Sequence, residues 1–297
     1  MAANTRDIRR RIKSVKNTAQ ITKAMQMVAA SKMRKAQLAA LASRPYAEEL
    51  SRLLFPFTHL EVDEENSGHP LLQKRTGGRD LVLLISTDKG LCGALNTNLL
   101  REVSNFAPET TDFVCIGRKG LQFLARAKRP VLAEFNLKDN FSFFDAQAVA
   151  KFCLDRFLSG DASRVTVLYS HYVNTLTQNP AMRVVVPVQS FELGHVAIGG
   201  GDEPDTKVIV DLPEYILEPN QSDFLNSLLP HFVFYQIFHI VLESRASEHS
   251  ARMVAMKSAS DNAKQIIKDL TLEYNKVRQA SITTEILEIA TAQMVLS

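Results

Sequence analysis

The chain contains no tryptophan and only three cysteines, Cys92, Cys115 and Cys153, among its 297 residues. The cysteines have no spacing typical of a metal site, and their odd number leaves a thiol outside any disulfide scheme. We therefore expect reduced thiols in a reducing cytoplasm. No apolar run approaches the ~18 residues that cross a bilayer, and residues 1–20 are basic without an apolar signal core. Neither secretion nor membrane spanning is indicated.

Glycine and proline are absent from both ends of the chain. Neither occurs before Pro45, and neither follows Pro230. Because these residues most often interrupt secondary structure, the sequence predicts two long helices of about 44 and about 67 residues, measuring roughly 65 and 100 Å. Helices of such length need a partner that buries their apolar side.

Both predicted helices carry apolar or small residues at alternating spacings of four and three, a period of 3.5 that is typical of a left-handed coiled coil. Because the later N-terminal positions are small, we expect closely spaced helix axes in an antiparallel intramolecular pair. The C-terminal helix is longer and should project beyond its partner. The N-terminal positions are Ile8, Ile12, Val15, Ala19, Thr22, Gln26, Ala29, Met33, Ala36 and Ala40. The C-terminal positions are Leu242, Ala246, His249, Met253, Met256, Ser260, Ala263, Ile267, Leu270, Tyr274, Val277 and Ser281.

The middle of the chain alternates strand and helix signals. The fold class predicted is therefore α/β: a long antiparallel coiled coil of the terminal helices plus a Rossmann-like domain with a mostly parallel sheet. The predicted strands are Asp80–Ser86, Asp112–Ile116, Arg164–Tyr172 and Met182–Val188, and the predicted helices lie near Asn96–Ser104, Lys119–Ala127 and Phe144–Leu158. The predicted boundaries are 1–58 for the N-terminal helix, 59–79 for a linker, 80–206 for the α/β domain and 207–297 for the C-terminal helix with its tip.

The net charge of +3 hides an uneven distribution. Residues 1–44 carry eleven basic side chains and one acidic side chain, whereas residues 231–297 carry seven of each sign. A polybasic helix can bind nucleic acid, an anionic membrane surface or acidic protein surfaces. Aromatic residues are absent before Tyr46, so base stacking by this segment is unsupported. A basic coiled-coil nucleic-acid-binding protein remains an alternative.

The segment LVLLISTDKGLCGALN, residues 81–96, ends a predicted strand in a glycine-rich loop. Ligands usually bind at this end of a doubly wound sheet, so Lys89 could meet a phosphate and Cys92 could act as a nucleophile. The loop spells neither GxxxxGK[ST] nor GxGxxG, however, and a nucleophilic cysteine needs a base that the sequence does not identify. We favour a contact role for this loop. A thiol or nucleotide enzyme built on the α/β domain is kept as a further alternative, after the nucleic-acid-binding protein. His249 lies on the predicted seam, the line of periodic positions along which the two terminal helices would meet. It is interpreted as a packing residue.

Five segments together resemble the γ subunit of F-type ATP synthases, in the right order and across nearly the whole chain. They are ITKAMQMVAASKMRKAQ (21–37), DKGLCGALN (88–96), YILEP (215–219), LESRASEHSARMVAMKSASDNAKQIIKDL (242–270) and YNKVRQASIT (274–283). The resemblance implies a central-stalk rotor that is itself non-catalytic. Its partners would be the α, β and ε subunits and the membrane c-ring, with neither nucleic acid nor direct membrane insertion.

The resemblance also implies roles for individual residues. Arg278 and Gln279 match a polar pair that contacts a catalytic β loop, and Lys89 matches a second basic contact. Met25 matches a methionine that faces the lower β region. The basic side chains of Lys32 and Arg34 are expected to face acidic loops of the surrounding subunits. The projecting apolar tip would comprise Ile282, Ile286, Ile289 and Leu296, and the foot toward the c-ring and ε would include Tyr215 and Glu218.

Cofactors and location follow from the same resemblance. The chain would bind no cofactor or metal itself, because ATP, ADP, phosphate and Mg²⁺ would be handled by partner subunits. The chain begins directly at its first predicted helix and carries no cysteine between residues 190 and 230, where a redox-control insertion would be sought. We therefore expect a peripheral protein on the cytoplasmic face of a bacterial inner membrane.

Overall fold

A computed structural model of the chain describes residues 5–54, 69–75, 77–188 and 220–296, without the side chains of residues 44, 221, 292 and 294–296. The described segments form five α-helices, one short 3-10 helix and five strands. In chain order they are α1 (Thr5–Leu54), β1 (Arg79–Ile85), α2 (Leu95–Glu102), the 3-10 helix Val103–Asn105, β2 (Thr111–Ile116), α3 (Arg118–Arg126), β3 (Val131–Phe135), α4 (Phe143–Leu158), β4 (Ala162–Tyr172), β5 (Gln178–Val186) and α5 (Gln221–Leu296).

The chain divides into two compact units. The helical unit comprises Met1–Ala29 and Met253–Ser297, and the sheet unit comprises Ala30–Arg252. This division differs from the predicted domain boundaries, because each terminal helix contributes residues to both units. The reason is that the parts of α1 and α5 nearest the middle of the chain pack into the core of the sheet unit.

The sheet has the order β3-β2-β1-β4-β5. β1 pairs in parallel with both β2 and β4, β2 pairs in parallel with β3, and β5 is antiparallel to β4. The prediction of a mostly parallel, Rossmann-like sheet is therefore confirmed. The strand order reverses direction between β1 and β4, which in a doubly wound sheet marks the crevice where ligands usually bind.

Helices cover both faces of the sheet, as expected for a mostly parallel sheet. On one face, α4 and parts of α1 and α5 bury residues such as Leu83 and Val167. On the opposite face, α2 and α3 bury a smaller core around Phe113 and Leu84. The helix α4 begins in a capping box, in which the Asp145 N–H donates to Ser142 Oγ and the Asp145 carboxylate accepts the Ser142 N–H.

The elements predicted for the middle region agree with the structure to within four residues, with one exception. The exception is β3, which was not predicted; it is a five-residue edge strand on which only alternate side chains are partly covered. Its short length and its half-exposed pattern left a weak periodic signal. The antiparallel direction of β5 was not predicted individually; it follows from the short connection after β4.

Within the sheet unit, α1 and α5 run antiparallel. Ala40 packs near Ala246, and Ser43 Oγ lies 3.1 Å from His239 Nε2. Further along α1, Tyr46 Oη lies 2.7 Å from His231 Nε2. The residue numbers therefore rise along α1 as they fall along α5.

In the helical unit, burial follows the predicted period of 3.5. Each predicted seam residue from Ile8 to Ala29 is buried or half-buried, and so is each from Met253 to Val277. The Arg9 guanidinium donates to Tyr274 Oη at 2.6 Å and lies 5.5 Å from the centre of its ring. Residues 281–289 are all exposed, so Ser281 at the end of the predicted seam is not covered by α1.

Both helices continue through a proline, beyond the segments of about 44 and about 67 residues that lack glycine and proline. Pro45 lies inside α1 and Pro230 lies inside α5. An interior proline removes a helical hydrogen bond at a cost of about 3 kcal/mol. Burial on both sides of each proline offsets this cost: Ala40, Ala47 and Leu50 flank Pro45, and Leu229 and Phe232 flank Pro230.

The helix α5 contains a stretch whose length and mean hydropathy of 1.3 would suffice to cross a bilayer. Of this stretch, 61% is buried inside the protein. The apolar character is therefore accounted for by packing against the sheet, as in the core helix of a globular protein.

Candidate functional site

The loop between β1 and α2 lies at the carboxyl edge of the sheet and is held by internal hydrogen bonds. Thr87 Oγ1 donates to the Lys89 carbonyl at 2.8 Å, and the Asn96 side-chain amide donates to Thr87 Oγ1 at 2.7 Å. Leu91 and Gly93 both have left-handed backbone conformations, with φ of 64° and 60°. The loop presents Lys89 to solvent as an exposed side chain.

Cys92 points inward from this loop and is only 2% exposed. It packs with Leu95 of α2 and Ala251 of α5. Burial raises the pKa of the Cys92 thiol, and the nearby positive charge of Arg252 only partly opposes this effect. In the described part of the chain, the side chains that hydrogen-bond the sulfur are the Asn96 amide, at 3.3 Å, and Thr87, and neither is a histidine. A protonated, buried thiol of this kind fits a packing role better than a nucleophilic one.

The neighbouring turn between β2 and α3 is shaped by close packing against Ser86. Gly117 has φ of 95°, and a Cβ there would lie 2.3 Å from the Ser86 carbonyl oxygen. The Gly120 N–H donates to Ser86 Oγ at 2.8 Å, which satisfies a donor in the first turn of α3. Residues 117–120 therefore form the turn that joins β2 to α3.

The helix α5 passes this carboxyl edge and is buried on all sides from residue 241 to residue 250. Glu243, 3% exposed, accepts a hydrogen bond from the Tyr172 backbone N–H at 3.1 Å and pairs with His171 Nδ1. This hydrogen bond to Glu243 raises the pKa of the His171 imidazole. A buried carboxylate thus attaches α5 to the carboxyl end of β4.

A second group of charges attaches α5 to the loops that follow β1 and β3. Arg245 donates to the Leu137 carbonyl at 2.7 Å and to Glu248 at 2.9 Å, and its Nη2 lies 4.0 Å from Asp88 Oδ2. Arg252 donates to Glu248 at 2.8 Å and to the Lys89 carbonyl at 3.4 Å. These four charged groups therefore form one network at the crevice end of the sheet.

The predicted basic contacts on α1 have different environments. Lys32 donates to Asp139 Oδ2 at 2.6 Å, and this hydrogen bond lowers the pKa of the Asp139 carboxyl. Arg34 is exposed. Desolvation lowers the pKa of the nearby His249, which is 4% exposed on the seam, as expected of a buried neutral imidazole. Lys32 thus already has an acidic partner within the chain, whereas Arg34 presents its charge to solvent.

The predicted contacts in the helical unit lie on the surface of its two helices. Met25 is half-buried beside the seam of α1, and Arg278 and Gln279 are exposed on α5 directly after the half-buried Val277. Their side chains can therefore be reached by another protein without any change in the helix pair.

The predicted tip is an exposed apolar surface. Ile282 is 46% exposed, Ile286 is 60% exposed and Ile289 is 67% exposed. The side chain of Leu296 is not described, and Tyr215 and Glu218 of the predicted foot lie outside the described residues. Exposed isoleucines repeated along one face of a helix are typical of a protein contact.

Sequence reasoning missed the buried charges of α5 that join it to the sheet. Glu243, Arg245 and Glu248 lie within a segment that is buried on every side. The available signal was the density of charge, LESRASEHSAR, inside an otherwise apolar helix without glycine or proline. In the described residues, no group of three or more His, Cys, Asp or Glu side chains is arranged to hold a metal ion.

Comparisons with known proteins place the chain in a family. The family model described as ATP synthase matches residues 4–296. The chain is 47% identical to the ATP synthase gamma chain of Akkermansia muciniphila, over 97% of this chain and 98% of that one. It is 46% identical to the ATP synthase gamma chain of Methylacidiphilum infernorum, over 98% of each chain.

Solved structures show the same fold at low sequence identity. A chain of the Euglena gracilis mitochondrial ATP synthase, in a structure of OSCP, F1 and the c-ring, superposes with a TM-score of 0.67 at 19% identity, over 98% of this chain and 94% of that chain. A chain from the central stalk and c-ring of the Tetrahymena thermophila mitochondrial ATP synthase gives a TM-score of 0.58 at 24% identity, over 81% of this chain and 99% of that one. With the full-length match of its sequence, the chain belongs to the ATP synthase gamma chain family.

Proposed function

We propose that this chain is the central-stalk rotor of the F1 sector of a proton-translocating F-type ATP synthase. Its partners are the α and β subunits around the helical unit, and the ε subunit and the membrane c-ring at the foot. The observation that carries this proposal is the 47% identity to an ATP synthase gamma chain across 97% of the sequence. The chain is thus part of an enzyme complex that is peripherally associated with a membrane.

The physical basis of the coupling is that α1 and α5 stabilise each other along the seam within the helical unit. The described helix α5 has 76 residues and α1 has 50. The helix pair of the helical unit presents different side chains around its circumference, so each orientation favours a different conformation of a surrounding subunit. Rotation driven by proton flow then shifts which nucleotide affinity each β subunit adopts, and the same coupling works in reverse during ATP hydrolysis.

The chain itself performs no catalysis in this proposal, and it binds no cofactor or metal. The crevice at the carboxyl edge of the sheet, where a doubly wound fold usually binds its ligand, is filled by α5 and its charges. The one cysteine in the glycine-rich loop is buried, with a raised pKa. ATP, ADP, phosphate and Mg²⁺ are handled by the partner subunits.

The polar contact residues are of two kinds: those whose side chains are exposed, and Lys32, which already pairs with an acidic side chain of the same chain. Arg278 and Gln279 are exposed and act as a catch that hydrogen-bonds a catalytic β loop at some rotor angles only, while Lys89 makes a second basic contact. Lys32 is shared with Asp139, so its contact with an acidic loop requires exchange of partners, whereas Arg34 is available directly.

Three further surfaces complete the contacts. Met25 faces the lower β region, and the exposed isoleucines at 282, 286 and 289 turn with Leu296 inside an apolar collar. Tyr215 and Glu218 belong to the foot toward the c-ring and ε. The complex lies on the cytoplasmic face of a bacterial inner membrane.

The test of the proposed function is assembly. The purified chain is mixed with the α and β subunits from the same source, and the ATPase activity of the resulting particle is measured with and without the chain. We expect a particle that contains the chain and whose activity depends on it. Recovery of the chain from cells with nucleic acid and without α or β would instead favour the nucleic-acid-binding alternative.

The catch is tested by Arg278→Ala in the assembled complex. Because Arg278 is exposed and adjoins the seam without filling it, we expect normal assembly and a coupled turnover reduced several-fold. Lys276→Ala is the matched control, since Lys276 is also exposed and basic but lies about 200° away around the helix. Equal ATP synthesis rates for the Arg278→Ala complex and the unmodified complex would contradict the catch.

A further inference from the structure

The helix α5 occupies the place that a ligand takes in other doubly wound sheets. Three of its charged side chains bond to the segments that end or follow parallel strands. Glu243 contacts Tyr172 at the end of β4, Arg245 contacts Leu137 after β3, and Arg252 contacts the Lys89 carbonyl after β1. The three partners on the sheet side are backbone groups: the Tyr172 N–H lies in β4, and the carbonyls of Leu137 and Lys89 lie in the loops that follow β3 and β1.

These hydrogen bonds are made by side chains on opposite sides of α5. An α-helix advances about 100° per residue, so Arg245, Glu248 and Arg252 project within about 60° of each other. Glu243 projects about 140° to 200° from those three. Hydrogen bonds on opposite sides of a helix resist its rotation about its own axis, because any turn displaces the side chains on both sides from their bonding partners at once.

Apolar packing resists this rotation through steric fit, and the charged hydrogen bonds add a directional restraint. The core below the crevice, around Phe232 and Ile237, is held by hydrophobic contact, which is non-directional. Hydrogen bonds to a charged guanidinium or carboxylate are directional and shorter than neutral ones. Polar bonds of this second kind therefore strengthen a joint that transmits rotation between a globular sheet and a helix.

We propose, in an inference that rests on the function proposed above, that the crevice filled by α5 is the joint that transmits torque between the sheet and α5. Arg245 is the principal positioning residue of this joint. Arg245 has a side chain only 5% exposed, and it connects the loops after β1 and β3 with Glu248. Glu248 in turn fixes Arg252, which bonds the loop after β1. Removing Arg245 disconnects the loop after β3 from the network and leaves the Leu137 carbonyl without this donor.

The experiment uses the complete, membrane-embedded ATP synthase complex with Arg245→Met, a variant that keeps the length of the side chain and removes its bonds. A probe attached to the sheet unit reports its angular fluctuations while the α and β ring is held and the nucleotide state is fixed. We expect at least a twofold increase in angular variance and at least a twofold fall in protons pumped per ATP hydrolysed. Arg245→Lys retains the charge but cannot bond Glu248 and Leu137 in the same way, so it should give intermediate values.

The matched control is Arg156→Met, which removes an exposed Arg156–Asp161 pair from the same sheet unit and should change neither quantity. If Arg245→Met does not assemble, Arg245→Lys carries the comparison. Unchanged variance and unchanged pumping in the assembled Arg245 variants would overturn the joint. If the unmodified complex neither rotates nor pumps, the proposed function fails instead, so the two failures are distinguishable.

Discussion

Gly120 is the position where the structure makes the sharpest prediction about stability. It lies in the first turn of α3, where the helix touches the sheet. A Cβ at this position would lie 2.7 Å from Ser86 Oγ, 2.9 Å from Cys115 Sγ and 2.9 Å from Leu84 Cδ2. Ordinary contacts between such atoms are about 3.5–4.0 Å. The substitution Gly120→Ala therefore requires α3 or Ser86 to move.

Two effects oppose each other in this variant. Alanine is favoured over glycine inside a helix by about 0.8–1.0 kcal/mol. Overpacking a filled core costs about 1–3 kcal/mol. Displacement of Ser86 also weakens its hydrogen bond with the Gly120 N–H, a net contribution of about 0.5–1.5 kcal/mol. The packing effects outweigh the propensity, and we expect the free energy of unfolding of the sheet unit to fall by about 1–3 kcal/mol.

The assay is urea unfolding of the purified full chain, followed by the near-ultraviolet circular dichroism of tyrosine. The chain has no tryptophan, and five of its six tyrosines lie within Ala30–Arg252, so the signal reports mainly on the sheet unit. Gly90→Ala is the matched control, because nothing lies within 4 Å of a Cβ there. Its expected change is within about 0.5 kcal/mol. An unfolding midpoint for Gly120→Ala equal to or above that of Gly90→Ala would refute the packing argument.

Two further predictions concern the buried ion pair and the tip. Since the pKa of His171 is raised by Glu243, protonation of His171 adds stability that is fully present below about pH 6.5 and is lost as pH rises through the folded value. The difference in melting temperature between the unmodified chain and Glu243→Gln should therefore shrink between pH 6 and pH 9; a constant difference would contradict this. Ile286→Asp, at an exposed position, should leave the melting temperature of the free chain unchanged while lowering coupled ATP synthesis in the complex, and normal synthesis would exclude the tip contact.

The terminal helices could be predicted from the sequence because their signal is periodic and long. The spacing of seam residues such as Ile8, Thr22 and Ala29 repeats over many turns, and burial in the structure follows that spacing. The ends of the helices were less predictable. Pro45 and Pro230 carry a strong local preference to break a helix, and that preference is overruled by packing on both sides of each proline, which sequence alone does not reveal.

The sequence identified the carboxyl edge of the sheet as a place where ligands usually bind. It did not predict that a helix of the same chain fills this edge. The sequence placed Lys89 and Cys92 in the loop after β1, which is where the structure has them. The partners of that loop, Arg245 and Arg252, are separated from it by more than 150 residues. No local pattern indicates which loop a distant charged side chain will contact, so the filled crevice could be found only from the structure.

The loop 88–96 shows why the same sequence feature permits two interpretations. Glycines and left-handed residues bring backbone groups to the surface at the end of a strand, which suits phosphate binding when those groups are left open. Here the Lys89 carbonyl accepts Arg252, and Asp88 accepts the Arg118 N–H at 3.2 Å, so the groups are engaged within the protein. A loop geometry that could hold a small anion instead holds a helix. Whether such a crevice binds a ligand or forms a mechanical joint therefore depends on the element that faces the loops. Here that element is α5, whose permanently charged guanidinium groups occupy the crevice from within the same chain.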